Sequence, residues 1–96
     1  NMTEIGEVSN YFAHVSVAAI KLAKPLKVGE TIQIKGGNVD FEQKIDSMQI
    51  NHKAVKAAKS GDEIGIIVSQ KVRKGYKVFK KWIALKNSVR EHLKIT

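Results

Sequence analysis

TIQIKGGNVDFEQKIDSMQI, residues 31–50, decides the fold class. Thr31 to Lys35 alternates apolar and polar side chains, the period of a strand with one buried face. Gly36-Gly37-Asn38 then predicts a hairpin turn, because tight two-residue turns require backbone conformations that Gly and Asn adopt at least cost. The return strand is expected from Val39 to about Ile50, with Val39, Phe41 and Ile45 on one face and Asp40, Glu42, Lys44 and Asp46 on the wet one. Beyond Asp46 the apolar parity shifts to Met48 and Ile50, which predicts one extra residue, a β-bulge, near Ser47.

The same short-strand pattern extends in both directions. Upstream, Ile5 to Phe12 and Val15 to Leu22 read as strands around Ala13-His14. Pro25 interrupts the pattern, and Lys27 to Glu30 reads as a tight turn with Gly29 at positive φ. Downstream, KAVKAAK (Lys53 to Lys59) has helix-forming composition over barely two turns and is expected to be a turn or short 3₁₀ segment. Ser60-Gly61-Asp62 stops it, and Asp62 is expected to cap that turn. Glu63 to Val68 is the most apolar strand, Val72 points inward, Lys74-Gly75 turns, and Tyr76 to Phe79 forms the last strand. Six or seven short strands separated by glycine turns predict an all-β protein, a small closed Greek-key β-barrel.

Past Lys80 the period changes. Trp82, Leu85, Val89 and Leu93 follow at steps of three, four and four, which predicts a C-terminal amphipathic helix of about 12 residues. A helix that short is marginal alone, so its apolar face is expected to dock on the barrel. The expected organisation is one domain, a barrel over residues 3–80 with a basic helix over 81–94 packed on it.

The order of the turns carries a resemblance. Gly6-x-Val8, Leu26-Lys27-Val28-Gly29-Glu30, Ile45-x-Ser47-Met48-Gln49 and Ala58-x-x-Gly61-Asp62-x-Ile64-Gly65 stand in the sequence in that order. Together they resemble the second, β-barrel domain of translational GTPases such as elongation factor Tu, and most closely the stand-alone translation elongation factor-like proteins. A related barrel also occurs at the C-terminus of some collagenase-like peptidases. The resemblance covers roughly residues 5–79 and implies a translation factor-like barrel whose rim touches RNA or a partner domain. There is no GxxxxGK[ST] phosphate loop, so no nucleotide is expected, and the pocket for the aminoacyl end of tRNA has no counterpart that aligns.

Composition narrows the chemistry. The 96 residues are 43% apolar and 27% charged, proportions of an ordinary soluble globular domain, and a cytoplasmic location is expected. The absence of cysteine excludes disulfides, thiol catalysis and cysteine-ligated zinc. No apolar run approaches the roughly 20 residues that span a bilayer, and no secretory leader is visible. His14, His52 and His92 have no ligand spacing, and Asp40, Glu42 and Asp46 share their strand face with Lys44, so no metal or other cofactor is expected. Ser9, Ser16, Ser47, Ser60, Ser69 and Ser88 lie in no nucleophile motif, so no catalytic residue is assigned and the chain is read as a non-enzyme.

Charge supplies the one functional argument. Residues 1–70 hold eight basic and eight acidic side chains, whereas residues 71–96 hold nine basic ones against Glu91 alone. Lys71, Arg73, Lys74, Lys77, Lys80 and Lys81 fall on the last strands, and Lys86, Arg90 and Lys94 recur every fourth residue on the expected helix. These nine basic residues are the expected nucleic-acid-binding set, neutralising phosphates whatever the base sequence. Tyr76 and Phe79 are interleaved aromatics available for stacking, while Trp82 opens the apolar helical stripe and reads as core. The function expected is therefore a non-catalytic module that binds transfer or ribosomal RNA. The second reading is an adaptor barrel that docks a partner translation factor or enzyme. No membrane is expected as a partner, because the helix's apolar face is narrow and would be covered by the barrel.

Overall fold

The computed structural model describes residues 2–81, and within them the chain is all-β. Ten strands follow one another: β1 (Met2–Phe12), β2 (Val17–Leu22), β3 (Leu26–Lys27), β4 (Thr31–Gly36), β5 (Val39–Lys44), β6 (Met48–Ile50), β7 (Lys53–Val55), β8 (Ala57–Ala58), β9 (Glu63–Ile67) and β10 (Lys77–Lys81). Eight form one antiparallel sheet in the order β5-β4-β10-β1-β2-β9-β6-β7, and β3 pairs with β8 in a separate ribbon.

The hairpin at Gly37-Asn38 forms as expected, with Gly36 opposite Val39 and Gly37 at φ 53°. Ile32 and Ile34 on β4 and Phe41 on β5 face the core, while their neighbours face water. The return strand, however, does not run through to Ile50 with a bulge. It ends at Lys44, and β6 begins anew at Met48 on the opposite side of the sheet. Ile45 remains buried and exchanges backbone hydrogen bonds with Gly29 and Glu30, which anchors the chain as it crosses over. The parity shift read near Ser47 thus marks a change of sheet position.

Bulges occur instead on β1, where the register slips between Glu4 and Gly6 against β10, and between Val8 and Asn10 against β2. The first slip leaves both Ile5 and Gly6 buried, and it is what puts Ile5 and Val8 on the core side despite their odd spacing. Bulges bend a strand, and β1 serves both β2 and β10 along its length.

KAVKAAK is also corrected. It contains β7 and β8, entered through a two-residue turn at Asn51-His52 whose φ values are 51° and 67°. Two successive left-handed residues define the hairpin turn that matches strand twist. Tertiary pairing overrides the helical propensity of three alanines and three lysines because Ala58 is needed in the core and Val55 against it.

Among the described residues the core is made of apolar side chains alone, with Ile5, Ile20, Ile32, Ile34, Val8 and Val78 fully buried. Each such burial stabilises the fold by about 1.5–3 kcal/mol relative to exposure. No ladder closes the sheet into a ring among the described residues. One end of the sheet nevertheless curls back onto it: the Gln43 side-chain amide on end strand β5 donates to the Ile67 carbonyl at the close of β9 at 2.8 Å and accepts from the Ser69 N–H at 2.9 Å. The helix expected over 81–94 lies outside the described residues, apart from Lys81, which is the last residue of β10.

Candidate functional site

Three of the basic residues expected to hold nucleic acid are engaged within the fold. β10 lies between β1 and β4, so its lysines meet carboxylates from the first half of the chain. Lys77 contacts Glu7 at 2.9 Å and Glu4 at 3.7 Å, Lys80 contacts Glu30 at 3.2 Å, and Lys81 contacts Glu42 at 3.3 Å. Lys80 also donates to the Pro25 carbonyl. Hydrogen bonding and opposite charge from Glu7 raise the Lys77 ammonium above the ordinary lysine range, with Glu4 adding to the rise. The imbalance along the sequence is thus partly cancelled in space.

Lys71, Arg73 and Lys74 are exposed on the segment between β9 and β10, and Lys74 lines a cleft of about 380 Å³ with Glu4, Glu7 and Lys21. Lys86, Arg90 and Lys94 lie outside the described residues, so six of the nine are placed. The two aromatics of this stretch have neighbours within the fold. Tyr76 packs over Gly36 and against the core, where a Cβ on Gly36 would strike its ring, and Lys35 sits 5.9 Å from the Phe79 ring centre.

Asp62 caps its turn as expected, accepting the Lys59 N–H at 2.8 Å while its own N–H donates to the Lys59 carbonyl. Beside it lies a feature the sequence reading missed, a groove of about 760 Å³ on the outer face of the sheet. Val17, Ala19 and Gly65 form its floor, Phe12 and Val15 one wall, and Asn51 and His52 another. The register explains the assembly: Val17 stands opposite both Phe12 on β1 and Ile67 on β9, so all three side chains project from one face. Phe12, Val15 and Ile67 are 41%, 50% and 65% exposed, an apolar patch at one end of the sheet. The signal was available only after pairing was known, since Ile67 is fifty residues from Val17.

No family model matches the chain. Residues of the chain are 46% identical over 77 positions to an uncharacterized protease, MJ0090, of Methanocaldococcus jannaschii, covering 79% of this chain and 19% of that relative. The chain therefore spans about a fifth of the length of the curated relative it matches. Among solved structures, the C-terminal domain of a putative U32 peptidase of Geobacillus thermoleovorans superposes with a TM-score of 0.76 over 81% of this chain, at 16% identity. Coverage of that domain is 98% in its selenomethionine form and 91% in the other. These findings overturn the translation-factor resemblance and the RNA-binding module read from it. The turns on which it rested recur wherever short strands are joined through glycine, so they report strand spacing and not lineage.

Proposed function

We propose that this chain is an accessory β-domain of the kind found in U32-type peptidases, without a catalytic centre of its own. Its work on this reading is to present a polypeptide-binding surface to a peptidase domain. The observation that carries the proposal is the 46% identity over 77 residues to a much longer protease, MJ0090, of which the chain spans 19%. Likeness of fold to a separately crystallised U32 C-terminal domain supports it, since that domain is covered almost whole. Among the described residues, the apolar core and the surface placement of the ionisable groups fit a binding domain, whereas catalytic acids and bases commonly sit where burial shifts their pKa values. We further read the curled sheet as a barrel of the Greek-key kind whose seam is bridged by Gln43.

The test is a replacement in the archaeal relative. Deleting the matched segment from MJ0090 is expected to lower hydrolysis of a denatured, labelled protein at least tenfold, and inserting this chain in its place is expected to restore it. Hydrolysis that is unchanged by the deletion, with the remaining protein folded, would contradict the proposal.

A further inference from the structure

We infer that the outer groove is a binding site for an extended, unfolded polypeptide segment that carries a bulky apolar side chain and, four residues away, Lys or Arg. This rests on the accessory-domain reading and gives it a site. The register lays out the specificity in rows. Phe12 and Val17 stand opposite each other as an apolar row at one end of the groove, with Ile67 across the ladder from Val17 and just beyond the groove's lining. Two residues along β2 and β9 stand Ala19 and Gly65, a floor of small residues with room above it. Two further along stands Glu63, next to Asp62. A strand advances about 3.3 Å per residue, so the apolar row and Glu63 are separated by about 13 Å, the span of four extended residues. Side chains four apart on an extended peptide project in the same direction.

Charge selects the sign of the second anchor. The ionisable side chains lining the groove are Asp62, Glu63, His14 and His52, an acidic lining in a chain of net charge +8. Four other carboxylates, Glu4, Glu7, Glu30 and Glu42, have lysine partners, but the contacts of these two are neutral groups. Glu63 accepts the Ser9 hydroxyl at 2.5 Å and Asp62 the Lys59 amide. Lys21, opposite Glu63 in the ladder, lines the neighbouring cleft instead. A basic side chain arriving along the groove meets two carboxylates without an ion-pair partner in the described residues. The concave form and small floor suit a chain segment whose side chains enter one by one.

The experiment is fluorescence anisotropy with the 96-residue chain and a fluorescein-labelled Gly/Ser peptide bearing Phe and Arg four residues apart. Binding is expected, weakened at least fivefold when Arg is replaced by Glu, when Phe is replaced by Ser, or when the two are set three apart on opposite faces. Phe12→Ser with Val15→Ser, both exposed and both lining the groove, should weaken binding at least fivefold with the circular dichroism spectrum unchanged, and Glu63→Gln should lessen the preference for Arg over Glu. Equal binding of all four peptides, equal binding by the variants, or no binding at millimolar protein would overturn the site. No peptidase is present in this assay. Its failure therefore leaves the accessory-domain reading to the hydrolysis test, and peptide binding without any effect on hydrolysis would sink that reading alone.

Discussion

Two glycines show how differently one residue type is held. A Cβ at Gly6 would lie 2.5 Å from the Lys21 carbonyl oxygen, a backbone atom that cannot swing away. At Gly65 the nearest atom is the Val17 Cγ1 at 3.6 Å, an ordinary contact. Gly6→Ala is therefore expected to destabilise the fold by about 1–3 kcal/mol, the range of an overpacked core site, and Gly65→Ala to change it by no more than about 0.5 kcal/mol. Urea denaturation of the two variants checks this, and equal midpoints would contradict it. Lys77 gives a pH signature. Its raised pKa means that the folded state holds the proton more tightly, so the contribution is fully present at neutral pH. It is lost as pH climbs through the raised value, above the ordinary lysine pKa of 10.5. The stability difference between the parent chain and Glu7→Gln should hold steady near neutrality and shrink in strong alkali. A gap that persists unchanged there would show that Glu7 acts by some route other than the Lys77 ammonium.

The elements differ in how much of them could be read in advance. Turns were legible because each is dictated by a local backbone demand. Gly29, Gly37 and Gly75 occupy positive φ at 100°, 53° and 96°, and the capping role of Asp62 follows from its own peptide neighbourhood. Strand breaks and bulges were not legible, since the slips at Ile5 and Ser9 depend on which strands lie on either side of β1. The helix-like composition of KAVKAAK misled for the same reason, being outvoted by pairing with β6 and β3. At this scale the seam is the feature to probe. Gln43 imitates a ladder pair with one side chain, so Gln43→Ala should cost about 1–2 kcal/mol for two lost hydrogen bonds. Hydrogen exchange at the Ser69 amide should accelerate, while exchange in the β1–β2 ladder falls only with global stability. Uniform acceleration everywhere would mean that the seam does not open locally.

At the scale of the whole molecule, charge was the most misleading quantity and the outer face the most informative. A tally along the chain isolates a basic C-terminal quarter, yet folding carries β10 between β1 and β4, beside Glu4, Glu7, Glu30 and Glu42. The groove escaped notice because Phe12, Val17, Ala19 and Gly65 meet only through register. Both facts turn attention from the basic strand to the acid-lined groove, and from phosphate to polypeptide. The most direct measurement compares a chimera of MJ0090 carrying this chain with the same protease lacking the segment, on a long denatured protein and on a short peptide of a few residues. The account predicts that the domain lowers KM for the long substrate at least tenfold and leaves kcat/KM for the short one unchanged, because only a long chain reaches the groove. Equal effects on both substrates would contradict it, placing the domain's contribution at the catalytic centre itself.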